Sequence, residues 1–120
     1  MILVDTSVWI DYFKGVETQE TNLLDIALSN DDVAIGDLIL LEILQGFRSD
    51  KDYKTAKDHL MALHQFSMLS PDIAINAADN YRILRKNGIT IRKTADVIIA
   101  TFCINKHLPL LFADRDFIPF

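Results

Sequence analysis

Four acidic residues stand in apolar stretches of this sequence, where a charged side chain is costly unless it has a partner. They are Asp5 after ILV, Glu42 within LILLEIL, Asp96 within TADVIIA and Asp114 after LLFA. Any one of them alone is best explained structurally, and Asp5 and Asp96 can act as helix caps. Glu42 is different because a mid-helix position offers no free backbone donors. Four together need a common partner, and a divalent cation held by oxygen ligands supplies it.

The composition of this acidic set indicates both a metal and a reaction. Carboxylates without imidazole or thiolate partners favour Mg²⁺ or Mn²⁺ over Zn²⁺. Such ions bind a phosphodiester oxygen, lower the pKa of a bound water and stabilise charge on the leaving oxygen. Phosphodiester hydrolysis by metal-activated water is therefore the reaction class that fits best. The sequence leaves open whether one ion or two bind.

Other residue types that carry chemistry form no second candidate site. His59 and His64 are five positions apart, which is not the i, i+4 spacing of a helical metal pair. Cys103 lies between Phe102 and Ile104 in a stretch predicted to be a buried helix, so we expect it to pack with a raised thiol pKa. With only four glycines, the chain has no phosphate-cradling loop of the Walker or dinucleotide type.

The elements that must position the acids alternate between short strands and longer helices. The hydrophobic pattern predicts strands at residues 2–4, 33–35, 66–69 and 110–112. It predicts helices from the caps at residues 5–7 to Gly15 and over residues 20–28, 37–46, 50–64, 71–88 and 94–107. This alternation predicts a three-layer α/β/α sandwich with a central parallel sheet. The length, without linker or repeat, predicts one domain over residues 1–120.

The predicted sheet places two of the acids at one of its edges. In open parallel sheets, functional residues gather outside the carboxyl ends of the strands. Asp5 and Asp114 each follow a predicted strand at that end. We therefore expect acids that are far apart in the sequence to form one site.

The charge balance bears on the kind of partner. Twelve basic and 17 acidic residues give a net charge of −5, the wrong sign for a nucleic-acid binder. Bound divalent cations would reverse the field locally if the acids converge. The basic residues form two groups, each as readily a solvated helix face as a binding surface. The first group is Arg48, Lys51, Lys54 and Lys57, and the second is Arg82, Arg85, Lys86, Arg92 and Lys93.

Nothing in the sequence predicts a membrane or secreted protein. The longest apolar runs are far shorter than a membrane span, and Met1 leads directly into a predicted strand. The single cysteine excludes an internal disulfide and fits a reducing compartment. We therefore expect a soluble, cytoplasmic protein.

The acidic segments, taken in order, resemble the successive motifs of the PIN-domain nucleases. The matching segments are ILVDTS at residues 2–7, EILQG at 42–46, TADVIIA at 94–100 and DRDF at 114–117. Each motif alone is weak, but four in order at family-like separations form a specific pattern. The chain length and the Gln-Gly pair after the glutamate are similar to the VapC-type toxins of prokaryotic toxin–antitoxin pairs.

The resemblance implies an endoribonuclease that depends on Mg²⁺ or Mn²⁺. Its metal ligands would be Asp5, Glu42, Asp96 and Asp114. Because a metal-activated water would attack phosphorus in line and expel the 3′ oxygen, the 2′-hydroxyl is not the nucleophile. We therefore expect products with a 5′-phosphate.

The resemblance also implies roles for neighbouring residues and for partners. Asp116 matches a further acid that holds the metal, directly or through water, although a surface pair with Arg115 is an alternative explanation. The hydroxyl of Ser7 matches a position that orients water or substrate, with Thr6 a weaker candidate. The resemblance further implies a homodimer and a cognate VapB-type antitoxin that blocks the site, often with a basic side chain.

Substrate contacts and alternative functions complete the sequence-based hypothesis. For the RNA backbone we favour Arg48, Lys51 and Lys54, with the second basic group as the alternative. A non-catalytic interaction module of the same fold is a rival function, but a scaffold has no reason to keep buried charges together. A metal-dependent phosphatase for small phosphate esters is another rival, and it would need a closed pocket.

Overall fold

Four short parallel strands form the centre of the protein in the computed structural model, which describes residues 1–120. The strands are β1 Ile2–Val4, β2 Val33–Gly36, β3 His64–Phe66 and β4 Leu110–Leu111. Their order in the sheet is β3-β2-β1-β4, and every neighbouring pair is parallel. The inner strands are buried and apolar throughout most of their length, as expected for a parallel sheet covered by helices.

Six α-helices flank the sheet, which confirms the predicted α/β fold class. They are α1 Thr6–Phe13, α2 Gln19–Ser29, α3 Asp37–Gln45, α4 Asp50–Met61, α5 Pro71–Lys86 and α6 Thr94–Lys106, followed by a 3₁₀ turn at Arg115–Phe117. Local sequence explains several helix starts. The side chains of Thr18, Ser49 and Ser70 each accept a hydrogen bond from a backbone N–H in the first turn that follows. None of the helices is both long enough and apolar enough to span a membrane.

Helix α6 lies in the core and carries the most buried acid of the helices. Its residues 96, 97 and 99–103 are all buried, so apolar side chains surround it instead of forming one stripe. Ile99 and Phe102 belong to the same hydrophobic core as Leu3 and Val4 of β1. A residue in the first turn of α6 is therefore held close to the end of the central strand.

The third strand lies earlier in the chain than the sequence predicted. Residues 66–69 were expected to form it, but His64–Phe66 pairs with β2 and α4 ends at Met61. The error arose because β3 is an edge strand with little buried surface, so hydrophobicity does not mark it. Met68 is fully buried for another reason: its side chain packs against Gly36, and its backbone N–H donates to Oδ1 of Asp37 at 3.0 Å.

Candidate active site

Asp5 lies at the junction between β1 and α1, where the sheet ends and the helix begins. It is only 5% exposed. The hydroxyl of Ser7 donates a hydrogen bond of 3.1 Å to its Oδ2. Asp5 occupies the N-cap position of α1, but its side chain makes no capping hydrogen bond of good geometry. Capping therefore does not account for this buried acid.

The electrostatics of Asp5 show the cost of burying it. Its pKa is raised above the ordinary value chiefly because burial penalises the charged form. The backbone amides of Thr6 and Ser7 and the Ser7 hydroxyl partly offset this effect, whereas the negative charge of Glu42 adds to it. The net rise means that the protein groups around Asp5 do not fully compensate its charge.

Glu42 approaches Asp5 from the middle of α3 and is half-buried. Its Oε1 accepts a hydrogen bond of 3.0 Å from the hydroxyl of Thr6. No other donor in the protein bonds this carboxylate, and Glu42 has no basic partner. The structure thus places Thr6 against Glu42, a contact that the sequence analysis did not predict.

Asp96 is the acid of the group whose charge is least compensated by its surroundings. It lies in the first turn of α6, is 5% exposed, and its Oδ2 is buried without a hydrogen-bond partner. Burial, followed by the charge of Asp5, raises the pKa of Asp96 to about 6. Lys93 opposes the rise, while Asp114 and Glu42 add to it. The N-cap of α6 is Lys93, so the capping explanation for Asp96 is wrong as well.

Asp114 and Asp116 reach the same place from the segment after β4. Asp114 precedes the 3₁₀ turn, and its Oδ1 accepts the backbone N–H of Asp116 at 2.9 Å. Carboxylate oxygens of Asp96, Asp114 and Asp116 all lie within 4.8 Å of one another. Asp116 pairs with Arg92, whose Nε lies 3.3 Å from its Oδ2, so the pairing with Arg115 left open by the sequence is not formed.

The five acids therefore converge at the carboxyl ends of the central strands. Asp5 and Glu42 lie outside the tightest group of three, but their charges act on Asp96. The acids are clustered, and Oδ2 of Asp96 is buried without a hydrogen-bond partner. A divalent cation such as Mg²⁺ prefers oxygen ligands and would neutralise the repulsion between the carboxylates. The residues present thus fit the Mg²⁺ or Mn²⁺ expected from the sequence.

Comparison with known proteins shows the family of this chain. The sequence model of the PIN domain family matches residues 2–119, nearly the whole chain. The chain belongs to the PIN-domain family. This PIN domain is 32% identical over 122 residues to Ribonuclease VapC11 of Mycobacterium tuberculosis, covering 98% of this chain and 89% of the relative. It is also 32% identical over 109 residues to Ribonuclease VapC1 of Methanocaldococcus jannaschii, covering 91% and 72%.

Solved structures with the same fold include two toxin–antitoxin complexes. VapBC2 from Rickettsia felis, bound to a DNA fragment from its promoter, has a TM-score of 0.80 at 18% identity and covers 100% of this chain and 93% of the other. A toxin–antitoxin complex from Klebsiella pneumoniae has a TM-score of 0.72 at 22% identity, covering 98% and 90%. At these identities, the likeness supports the PIN-like α/β fold.

The basic residues favoured for substrate binding make no direct contact with the acids of this PIN domain. Arg48, Lys51 and Lys54 are exposed, and none forms an ion pair or hydrogen bond with an acid of the site. Arg48 lines a surface pocket of about 400 Å³ together with Lys14. Their role in binding RNA stays a prediction.

Two contacts at the site were missed by sequence reasoning. Thr6 bonds Glu42 across 36 residues, and Arg92 pairs with Asp116 across 24. Arg92 belonged to the second basic group, but nothing in its local sequence marks it as the neighbour of an acid. The expected role of Cys103 agrees with the structure: it is buried, and burial raises the pKa of its thiol to about 12.

Proposed function

We propose that this PIN domain is a metal-dependent endoribonuclease that acts as the toxin of a toxin–antitoxin pair. The observation that carries the proposal is the carboxylate of Asp96, which is buried with an unpartnered oxygen and meets Asp114 and Asp116 within 4.8 Å. Its relatives named as ribonucleases match over almost the whole chain, which supports RNA as the substrate. The structural neighbours are complexes with antitoxins, which supports a VapB-type partner.

The acids of the site would hold Mg²⁺ or Mn²⁺, either directly or, for Asp116, through water. When bound, the ion would polarise the scissile phosphate and lower the pKa of a water molecule. The raised pKa values of Asp5 and Asp96 indicate that positive charge within the protein does not fully compensate these carboxylates. A divalent cation would supply that charge and keep both residues ionised at neutral pH.

Two hydroxyl groups keep the acids in place for this role. Ser7 bonds Asp5 and Thr6 bonds Glu42, so adjacent residues of the first turn of α1 orient two of the proposed ligands. Such support around a metal site limits the rotation of its ligands. The hydroxyl of Ser7 is also the group that we assign to orienting water or substrate.

The openness of the site favours a polymer over a small ester as the substrate. Glu42, Asp114 and Asp116 are partly exposed, so the site is open to solvent on the side of these three acids. A phosphatase for small phosphate esters would instead need a pocket that encloses its ligand. An RNA strand can reach carboxylates at an open surface, with cleavage leaving a 5′-phosphate.

We also propose partners and a cellular location for the protein. We include a homodimer, an antitoxin that covers the acidic site, and substrate contacts from Arg48, Lys51 and Lys54. A toxin restrained by an antitoxin acts on RNA of its own cell, which makes the cytoplasm its proposed location. One domain over residues 1–120 would suffice for this activity.

The test is cleavage of total cellular RNA by the purified chain, with Mg²⁺ or Mn²⁺ and with EDTA. Asp96→Asn should abolish cleavage because it removes a proposed ligand. Asp79→Asn is the matched control, since Asp79 is an exposed acid on α5 without a polar contact. Discrete cuts that require metal and vanish only in Asp96→Asn support the proposal. Metal binding without any cleavage would favour the non-catalytic module, and equal cleavage by both variants would refute the assigned site.

A further inference from the structure

Two consecutive cations lie against the acidic site. The Nε of Arg92 is 3.3 Å from Oδ2 of Asp116, and Lys93, the N-cap of α6, is close enough to Asp96 for its charge to oppose the rise in the pKa of that residue. Both residues come from the loop between α5 and α6. Arg92 is the only basic side chain in an ion pair with a proposed metal ligand, and Lys93 lies near enough to Asp96 for its charge to act on it.

The pair between Arg92 and Asp116 is the only ion pair between two side chains in the protein. The other salt bridge joins the chain terminus to Asp32. The side chain of Arg92 is 74% exposed, whereas that of Asp116 is 20% exposed. An exposed pair of this kind contributes little to folding stability and breaks at low cost. Because the pair lies at the acidic cluster, we attribute to it a role in ligand binding and not in folding.

We propose that Arg92 binds a phosphate of the RNA substrate and that Asp116 holds it only until metal and RNA are present. A guanidinium binds carboxylate and phosphate oxygens with the same donors. Only Nε of Arg92 is used in the contact with Asp116, so its terminal nitrogens are free for a second acceptor. Lys93, the next residue in the chain, adds a second positive charge at the start of α6. This inference rests on the proposed ribonuclease function and assigns part of its substrate contact.

The charges at the site explain why Arg92 would leave Asp116 for an RNA phosphate when a metal ion binds. A divalent cation on Asp96, Asp114 and Asp116 would neutralise the carboxylate that attracts Arg92. The released guanidinium would stay beside the acids, where it can bind a phosphate of an RNA strand that reaches the site. The group of Arg48, Lys51 and Lys54 has no comparable contact with the site. Arg92 is therefore better placed to guide RNA to the acids.

The first arm of the test measures Mn²⁺ binding alone by titration calorimetry. Arg92→Gln should bind Mn²⁺ up to about fivefold more tightly than the wild type, because Asp116 no longer has a competing partner. Arg115→Gln is the matched control, since it removes one exposed positive charge beside the same acids without breaking an ion pair. An equal gain in both variants would overturn the competition between Arg92 and metal.

The second arm measures cleavage of a short single-stranded RNA at saturating Mn²⁺. Arg92→Gln should raise KM by about three- to tenfold with little change in kcat, because it removes one hydrogen bond to phosphate from a solvent-exposed side chain. The slope of log KM against log salt should fall by about 0.7. Arg92→Lys, which keeps the charge, should recover part of the loss. A fall in kcat with KM unchanged would overturn the substrate role.

A failure of the proposed function would be recognised separately. If the wild type cuts no RNA, the same labelled strand is used in a binding measurement by fluorescence anisotropy in Mn²⁺. Weaker binding by Arg92→Gln than by Arg115→Gln would support the phosphate contact although the nuclease proposal fails. Equal binding by the wild type and both variants would overturn the contact itself.

Discussion

The hydroxyl of Thr6 donates a hydrogen bond of 3.0 Å to Oε1 of Glu42, which joins the first turn of α1 to the middle of α3. Thr6 directly follows Asp5, so the contact fixes Glu42 relative to a second acid of the site. Ser7 bonds Asp5 in turn, at 3.1 Å. Two hydroxyl groups in consecutive positions thus set the mutual orientation of two acids that come from different elements.

Removal of the Thr6 hydroxyl should therefore weaken metal binding more than folding. Thr6→Val preserves shape but leaves Glu42 without its donor, and we expect a three- to tenfold loss of Mn²⁺ affinity, about the typical net value of one hydrogen bond. Thr6→Ser keeps the hydroxyl and should restore most of the affinity. Titration calorimetry distinguishes the variants, and wild-type affinity in Thr6→Val would show that the contact has no role in positioning.

Mg²⁺ should raise the melting temperature of the wild-type protein. The acids of the site repel one another, and a cation that binds only the folded state stabilises it by mass action. Asp96→Asn should melt a few degrees higher than the wild type in EDTA, because one buried charge is gone, and should respond less to Mg²⁺. Thermal unfolding across a Mg²⁺ titration measures both effects. A flat wild-type response would contradict the metal site, and Asp79→Asn should behave like the wild type.

Metal-free stability should fall as pH rises through the titration of Asp96. Its pKa is raised from 3.8 to about 6, so the folded state binds more protons than the unfolded state between these values. The free energy of unfolding therefore decreases with pH in this window, by up to roughly 3 kcal/mol, and the stabilising effect of protonation is complete only below the lower value. Asp5 acts in the same direction.

Urea denaturation in EDTA at several pH values tests this dependence. Asp96→Asn should flatten the profile between pH 3.8 and about 6, because the titrating group is absent. Saturating Mg²⁺ should counteract the decrease in the wild type, since the cation favours the ionised acids. An equally steep profile in Asp96→Asn would assign the effect to other groups.

Gly36 should be intolerant of a side chain. A Cβ at this position would collide with the side chain of Met68, which is fully buried beneath α3 and the end of β2. We expect Gly36→Ala to destabilise the protein by about 1–3 kcal/mol through overpacking. Gly46→Ala is the control, because its Cβ would meet only an ordinary contact at 3.5 Å. Urea midpoints compare the two, and equal stability would show that Met68 can move aside.

Local sequence was sufficient to predict the architecture and the acids. The apolar runs before Asp5 and Asp114 mark β1, which is largely buried, and β4, which is partly buried, so an acid directly after each run is conspicuous. Glu42 and Asp96 were found in the same way, since each interrupts an apolar helix. These signals are local because burial of neighbouring residues determines them.

The contacts between distant segments could not be predicted in this way. β3 is short and exposed, so its pairing with β2 depends on the fold and not on its own composition. The bonds from Thr6 to Glu42 and from Arg92 to Asp116 join segments that only the packed helices bring together. A hydroxyl or a guanidinium has many possible partners, and its sequence neighbours do not specify which one it meets.

The carboxylate of Asp114 is also a structural element of the 3₁₀ turn, because its Oδ1 accepts the backbone N–H of Asp116. Truncation to alanine would release that turn, displace Asp116 and free Arg92, so three groups would be lost through a single change. An inactive alanine variant would therefore not identify Asp114 as a ligand. Asp114→Asn retains an acceptor oxygen for the turn while removing the charge. This substitution therefore distinguishes the structural role of Asp114 in the turn from its proposed role as a metal ligand.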